Sequence, residues 1–307
     1  MEYKMLAVVN PASAGKATGK EWPDFERRLR ELGFKFDAQY TERKEHAIEI
    51  TREALKNGYN YIISVGGDGT MNEVLNGFFE EGVQINPDAR LAVFSRGTGC
   101  DFIKSIGIKK GFDDFVQLLH RDQCKRLDIG IVTYKDYEKG VVSRYFLNIS
   151  DLGLGGDTTN RINKTAKSLK GFLSFAINAI LSILLFRNKH YTISIDDNLV
   201  VSERLNSVIV ANGRYFGSGM EVAPLAKMDD GIFDIVVLGD LNTFELIKSF
   251  PSIYKGQHLK NPKVKVYNGK KVKVSSEPYA LLDIDGEQPG MTEAEFEIIP
   301  NSINVMV

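Results

Sequence analysis

The order of the predicted strands and helices constrains this chain more than any other feature of its sequence. In the N-terminal part, apolar strand-like runs such as Met5–Val9 and 59–65 alternate with helical segments. This alternation is typical of a mostly parallel sheet with helices on both faces. Beyond Leu127 the runs are short, β-branched or aromatic, and separated by turn residues. The order therefore predicts an α/β domain over residues 1–127 and a mainly antiparallel β-sandwich domain over 128–307.

The composition is that of an ordinary globular protein. Among 307 residues, 39 Lys and Arg balance 40 Asp and Glu, and 43% of residues are hydrophobic. Such a chain is neither wholly disordered nor drawn to nucleic acid by its net charge of -1. With only two cysteines, Cys100 and Cys124, a disulfide framework and a cysteine-rich zinc site are both unexpected. Because no basic and apolar leader follows Met1, we expect a cytosolic protein.

One hydrophobic segment, residues 172–186, has the composition of a membrane-associated helix. As a helix it would be about 22 Å long, which is short of the roughly 30 Å of a bilayer core. Ser174, Asn178 and Ser182 recur every four positions and form one polar stripe. The segment is either a buried helix or an apolar wall that faces a lipid or a membrane. The second interpretation draws on the flanking basic residues Arg161, Lys164, Lys167, Lys170, Arg187 and Lys189.

The most specific local motif is SVGGDGTMNE at residues 64–73. It follows an apolar strand and precedes a helix, so its three glycines lie at the carboxyl edge of the predicted sheet, where ligands usually bind. Glycine lets the backbone approach an anion, and the N–H groups and dipole at the start of a helix favour phosphate. The motif therefore predicts a phosphate-binding loop rather than a plain turn.

Two further loops follow predicted strands and should meet the first at the same edge. Residues 10–16, NPASAGK, lack the first glycine and the final Ser or Thr of a Walker A loop. They form either a plain strand-to-helix turn or a polar loop whose Asn10 faces a nucleotide. Residues 96–102, RGTGCDF, follow the predicted strand 91–95.

An acidic turn, DIDGE, lies at residues 283–287. If a strand ends here, Asp283 and Asp285 share a face, and the Asp-Gly turn carries Asp285 and Glu287 to the strand end. The turn is either a solvated hairpin or part of a site. The histidines are scattered, and no HExxH or GxSxG motif is present, so neither a zinc hydrolase nor a serine hydrolase is indicated.

Taken together, these motifs resemble the bacterial soluble diacylglycerol kinase and lipid kinase family. That family shares its catalytic domain with sphingosine and ceramide kinases and, more distantly, with NAD kinases. The resemblance covers nearly the whole chain, and the order and spacing of its blocks are specific. The blocks are NPASAGK at 10–16, Thr41, GGDGTMNEV at 66–74, GTGCDF at 97–102, APLAKMDDGIFD at 223–234 and DGE at 285–287.

The resemblance implies an ATP-dependent kinase whose active site lies in the cleft between the two domains. It implies a Mg²⁺ ion held by the Asp230 carboxylate and the backbone carbonyls of Lys227 and Ile232, with Asp68 joining this ion through water to the nucleotide. The ATP contacts it implies are Asn10, Pro11, Ala12, Ser13, Ala14, Thr41, Gly66, Gly67, Asp68, Gly69, Thr70, Met71, Asn72 and Thr98.

Phosphoryl transfer also needs a carboxylate that accepts the proton of the attacking hydroxyl. Asp285 and Glu287 both fit this role, and Asp285 is slightly favoured because it lies at the strand end. The expected acceptor is diacylglycerol, which would give phosphatidic acid in phospholipid metabolism. Because this acceptor resides in a bilayer, we expect a cytoplasmic enzyme that is peripherally membrane-associated during catalysis, without a nucleic-acid partner. The sequence leaves the oligomeric state open, including a homodimer.

Two other functions also stay open. An NAD kinase-like enzyme would use the same glycine loop, although Asp230 and residues 285–287 favour the lipid branch. A nucleotide-binding regulatory protein without kinase activity is suggested by Cys100, because the family usually has Asn there and a thiol replaces a carboxamide poorly.

Overall fold

The computed structural model describes residues 3–97, 99–165 and 172–307, apart from the side chains of 163, 165, 172–176, 178 and 179. The chain divides into two compact units. Unit 1 comprises Met1–Leu127 and Asn301–Val307, and unit 2 comprises Asp128–Pro300. Within the described residues, no helix is long and apolar enough to cross a membrane.

Unit 1 alternates strands with helices, as the sequence predicts. Four of its strands pair in parallel, in the order β6, β3, β1, β2. Their apolar side chains pack against Trp22 and Leu29 on one helix and Phe115 on another. The elements are β1 (Met5–Val9), α1 (Ala17–Glu31), β2 (Asp37–Tyr40), α2 (His46–Lys56), β3 (Tyr61–Gly66), α3 (Asp68–Gly77), β4 (Phe79–Glu80), β5 (Val83–Gln84), β6 (Arg90–Ser95), α4 (Asp101–Ser105) and α5 (Phe112–Arg121).

Unit 2 is built mainly from antiparallel strands, and its first strand begins at the end of unit 1. The elements are β7 (Cys124–Asp136), β8 (Gly140–Phe146), β9 (Ile149–Gly153), α6 (Leu154–Thr165), α7 (Phe172–Leu185), β10 (Lys189–Ile195), β11 (Asn198–Leu205), β12 (Ser207–Ala211), β13 (Tyr215–Phe216), β14 (Met220–Glu221), β15 (Phe233–Leu238), α8 (Thr243–Ile253), β16 (Val264–Gly269), β17 (Lys271–Glu277), β18 (Leu281–Ile284) and β19 (Glu287–Met306).

The strands of unit 2 form two connected groups around one apolar core. Strands β16, β15, β12, β9, β18 and β19 are neighbours in that order, and β17 joins β19 to β10 and β11. Inward-facing side chains of both groups form the core, which includes Phe146, Tyr191, Phe233 and Phe296. This arrangement agrees with the sandwich that the short, turn-separated runs predict.

The last residues of β19 belong to unit 1. Asn304 and Val305 pair in parallel with β6, and Ile303, Val305 and Met306 are fully buried. The sequence analysis assigned 128–307 to the second domain as one segment, and residues 301–307 depart from that assignment. They do so because their backbone adds a parallel strand beside β6, and their apolar side chains are buried there.

The structure also divides one predicted strand. Residues 144–149 read as a single run, but β8 ends at Phe146 and β9 begins at Ile149. The N–H groups of Leu147 and Asn148 bond instead to the Asp285 carboxylate, at 2.9 and 3.0 Å. A side chain distant in sequence therefore ends the first strand and begins the next.

Candidate functional site

Loops at the carboxyl ends of the unit 1 strands come together at one edge of the sheet. The Nδ2 of Asn10, which follows β1, donates to Thr70 Oγ1 at 2.9 Å. The N–H of Arg96, which follows β6, donates to the carbonyl of Gly66 at 2.6 Å. The N–H of Thr41, which follows β2, donates to Val9 at 2.8 Å. The structure thus brings together the loops that the sequence analysis expected to meet.

Two of these loops touch through glycine backbone. A Cβ on Gly97 would lie 2.8 Å from the Cα of Gly67, closer than real Cβ contacts allow. Gly67 is also the N-cap residue of α3, and no side chain caps that helix start. The surface beside α3 is therefore formed by backbone, and the N–H groups of a helix start favour an anion.

Asp68 lies at the start of α3 and is anchored to the third loop. Its carboxylate accepts hydrogen bonds from the N–H groups of Asp101 and Phe102, both at 3.4 Å. Burial raises the pKa of Asp68, and these two donors act against that rise. A carboxylate beside a phosphate site is tolerated best when a cation lies nearby, which suits the role that the family resemblance implies.

The other residues expected to contact ATP differ in burial and in hydrogen-bond partners. Met71 and Asn72 are buried in α3, and Asn72 Oδ1 accepts from Asn76 Nδ2 at 3.2 Å. Ser13 Oγ bonds to Thr18 Oγ1 at 2.6 Å, and the N–H of Ala12 donates to Asn10 Oδ1 at 3.0 Å. The loop is thus held in shape by its own polar groups. Pro11 and Ala14 lie in the segment after β1, Gly69 is the second residue of α3, and Thr98 lies outside the described residues.

Cys100 occupies a position with left-handed backbone, at φ 54°. Asn adopts this conformation more readily than most residues, which gives a backbone reason for the usual Asn of the family. In this chain the thiol donates to the carbonyl of Gly97 at 3.0 Å. The third loop is therefore held by a sulfur hydrogen bond.

In unit 2, the acidic turn is a two-residue hairpin. Ile284 pairs with Glu287, and Asp285 and Gly286 between them both have positive φ, at 47° and 87°. Asp-Gly is the dipeptide such hairpins prefer. The Asp285 carboxylate is buried and accepts three backbone N–H bonds, from Leu147, Asn148 and Ile149, at 2.9, 3.0 and 3.1 Å. Asp285 therefore ties the hairpin to the segment between β8 and β9, whereas Glu287 is only half-buried.

Asp128 holds the segment that contains the expected Mg²⁺ donors. Its Oδ2 accepts from the N–H of Gly231 at 2.7 Å, and its own N–H donates to the carbonyl of Met228 at 2.7 Å. The buried Asn212 donates from Nδ2 to the carbonyls of Asp128 and Leu147, at 2.9 and 2.7 Å. The Asn212 amide therefore links Asp128, which holds the 227–232 segment, to Leu147, which binds the acidic hairpin.

A second carboxylate pair lies directly behind the hairpin. Asp151 and Asp283 are cross-strand neighbours on β9 and β18, and both are buried. Asp151 accepts from the N–H of Gly156 at 3.1 Å, and Asp283 accepts from Thr159 Oγ1 at 2.7 Å. Burial raises the pKa of Asp151 to about 8 and that of Asp283 to about 7, and the charge of Asp283 adds to the rise at Asp151. The pair therefore retains protons into the neutral pH range.

Sequence reasoning missed Asp128, Asn148, Asn212 and Asp151 as parts of this arrangement. Asp128 and Asp151 lie inside strands β7 and β9, and Asn148 and Asn212 lie directly beside strand ends; all four have apolar neighbours in the sequence. A polar side chain in such a position needs a partner, and this was the available signal. The identity of the partner depends on strand order, which the sequence did not give.

Two family models match the two parts of the chain. The model described as "Diacylglycerol kinase catalytic domain" matches residues 4–132. The model described as "YegS C-terminal NAD kinase beta sandwich-like domain" matches residues 151–307, just over half of the chain. The chain belongs to the diacylglycerol kinase and lipid kinase family. It is therefore a kinase of that family, and its fold class agrees with the two domains that the sequence predicts.

Relatives within this family match along almost the full chain. A diacylglycerol kinase of Staphylococcus haemolyticus is 28% identical over 302 residues, which cover 97% of this chain and 86% of the relative. A diacylglycerol kinase of Staphylococcus saprophyticus is 27% identical over 308 residues, with coverage of 99% and 95%. A crystal structure of a candidate diacylglycerol kinase from Bacillus anthracis has a TM-score of 0.78 at 23% identity, covering 99% of this chain and 94% of that one. The last comparison shows a shared fold.

Proposed function

We propose that this kinase transfers the γ-phosphate of ATP, with Mg²⁺, to the hydroxyl of diacylglycerol and so forms phosphatidic acid. The observation that carries the proposal is the backbone contact of Gly67 with Gly97 beside the uncapped start of α3. At Gly67 and Gly97 no side chain stands between the backbone and a ligand, so a triphosphate can approach the N–H groups there. The names of the curated relatives support diacylglycerol as the acceptor.

The Mg²⁺ donors that the resemblance implies are chemically suited to the ion. A carboxylate from Asp230 and carbonyls from Lys227 and Ile232 are oxygen ligands, which a hard cation prefers. The described residues contain no group of three or more His, Cys, Asp or Glu side chains that could hold a metal. The two carbonyls are the further donors that the resemblance implies. When bound, Mg²⁺ would offset the charge of the phosphates, while Asp128 keeps the 227–232 segment folded through Gly231.

Glu287 is better suited than Asp285 to accept the proton of the acceptor hydroxyl. Three backbone N–H groups already bond to the Asp285 carboxylate, and this occupies the oxygens that a base would use. Glu287 follows directly after the rigid Asp-Gly turn and keeps partial exposure. We therefore assign proton acceptance to Glu287 and the positioning of its hairpin to Asp285, which reverses the slight preference from sequence.

A cavity of ≈ 570 Å³ in unit 2 lies next to this hairpin. Leu281 of β18 and Gln288 of β19 line it on the hairpin side. Lys164, Lys189, Asp157 and Tyr279 line it elsewhere, so the cavity combines apolar surface with charged groups of both signs. Its volume falls in the usual range for ligand sites, and we propose that it admits the glycerol end of the acceptor.

An assay of labelled phosphate transfer tests this function. Purified protein is given ATP labelled at the γ-phosphate and Mg²⁺, with diacylglycerol in mixed micelles or with NAD in solution. Labelled phosphatidic acid is the expected product. Labelled NADP instead would establish the NAD kinase-like alternative, and ATP binding without transfer to NAD or to any lipid of a panel would favour the regulatory alternative.

A further inference from the structure

Helix α7 exposes a continuous apolar stripe. Ile177, Ile180, Leu181, Leu184 and Leu185 recur at helical spacing and are all exposed, with Leu184 at 52% and Leu185 at 59%. These positions lie on one side of the helix. Ser182 and Ile183, on the opposite side, are buried. The helix thus turns its apolar stripe outward, the reverse of an ordinary surface helix.

Helix α8 packs against α7 and has a second such stripe. Phe244, Ile247 and Pro251 are exposed at helical spacing, with Phe244 at 74%. An Asn242–Glu245 capping box fixes the start of this helix. Two neighbouring helices therefore expose large apolar side chains, and such patches mark interaction surfaces.

The charged residues beside the stripes are mostly basic. Arg187 follows α7, Lys248 adjoins Ile247, and Lys255 follows α8; all three are exposed. Within the described residues none of these three cations forms an ion pair. The nearby acids are already engaged by other residues. Asp240 accepts from Asn188 at 2.7 Å, and Glu245 pairs with Lys263 at 2.7 Å.

We propose that the exposed faces of α7 and α8 form a docking surface for a bilayer that contains anionic lipid. Apolar side chains would enter the acyl boundary while the cations meet the head groups. This inference rests on the proposed function, because an acceptor dissolved in a bilayer requires the kinase to rest on that bilayer. The same region leads to the acceptor cavity, since Lys189, just after α7, lines it.

A second copy of the chain fits this surface less well. In a two-fold pair the same face meets itself, so the cations Arg187, Lys248 and Lys255 would meet a face that carries the same three cations. An anionic membrane supplies the opposite charge, and a copy of this face does not. The charge pattern therefore selects the bilayer as the occupant.

Vesicle binding and soluble-substrate activity together test the docking surface. The first variant is Leu181→Gln with Leu184→Gln, and the second is Lys248→Glu with Lys255→Glu. The matched control is Leu199→Gln with Val141→Gln, two apolar residues that are exposed on β11 and β8. Each protein is sedimented with phosphatidylcholine vesicles, with or without phosphatidylglycerol, and is assayed on a short-chain diacylglycerol in solution.

We expect both docking variants to bind anionic vesicles at least about tenfold more weakly than the native protein and the control. Their rates on the soluble acceptor should be unchanged. Wild-type binding by either variant overturns the proposal. The proposal is also overturned if the native protein is a dimer and the first variant is a monomer that binds vesicles as tightly as the native protein. Because sedimentation does not depend on turnover, a failure of the kinase assay would count against the proposed function alone.

Discussion

Asp285 shows how a residue that looks catalytic in sequence can act through geometry. Its short side chain reaches three consecutive N–H groups because the left-handed turn points it back toward β9. In our assignment, Glu287, two residues later, accepts the proton of the acceptor hydroxyl. The sequence identified the pair but could not divide the roles, because the partners of Asp285 are more than a hundred positions away.

The buried pair of Asp151 and Asp283 predicts a pH dependence of stability. Their pKa values are raised above the ordinary carboxyl value of 3.8, so the folded state binds more protons than the unfolded state between about pH 4 and pH 8. Stability should therefore fall as pH rises through this window, by up to about 1.4 kcal/mol per pH unit for each proton. Asp151→Asn removes one titrating group, so its unfolding free energy should fall less steeply.

Urea unfolding at several pH values measures this difference. The unfolding free energy of Asp151→Asn minus that of the native protein should become more positive as pH rises from about 5 to about 8. Asp240→Asn, which changes an exposed carboxylate, should keep the native slope. Parallel curves for Asp151→Asn and the native protein would show that Asp151 is ionised throughout this range.

At the scale of elements, the loops after β3 and β6 act as one unit because they touch through backbone. Gly97→Ala places a Cβ 2.8 Å from Gly67 and must push the two loops apart. We expect ATP affinity to fall at least about tenfold, since the N–H groups of α3 would no longer face a surface free of side chains. Calorimetric titration with ATP and Mg²⁺ measures the change.

A glycine with a similar clash in unit 2 provides the control. A Cβ on Gly239 would lie 2.6 Å from the carbonyl oxygen of Lys263, away from the nucleotide loops. Gly239→Ala should lower the free energy of unfolding yet keep native ATP affinity. If both variants lose affinity equally, the effect of Gly97→Ala reflects general destabilisation, and the loops are not the nucleotide site.

The element scale is also where the sequence was most informative. Periodicity gave β1 with the bounds that the structure has, and the hydrophobic run at 172–186 is confirmed as a helix, Phe172–Leu185. It missed β11, in which only every fourth residue is buried, so the alternation of a strand is absent. It also missed α6, which begins with a Leu-Gly-Gly sequence of poor helix propensity. Asp151, five residues before Gly156, stabilises that helix start by accepting a hydrogen bond from its N–H.

At the scale of the whole molecule, residues that are distant in sequence pair with one another in space. The final residues of the chain pair with β6, and Asn212 joins two segments that are distant in sequence. Local sequence patterns do not predict such pairings, because the pairings depend on which strand edges remain free after the other strands have paired. The glycine loops could be predicted because each is a local strand-to-helix connection at one sheet edge.

The central claim of the proposed function is that the γ-phosphate of ATP is transferred to an acceptor hydroxyl whose proton Glu287 accepts. The most direct measurement compares single-turnover transfer to short-chain diacylglycerol with ATP affinity, in the native protein and in Glu287→Gln. We predict that the transfer rate falls about 10²- to 10⁴-fold while ATP affinity and the free energy of unfolding stay native. A Glu287→Gln protein that transfers phosphate at the native rate would contradict the account.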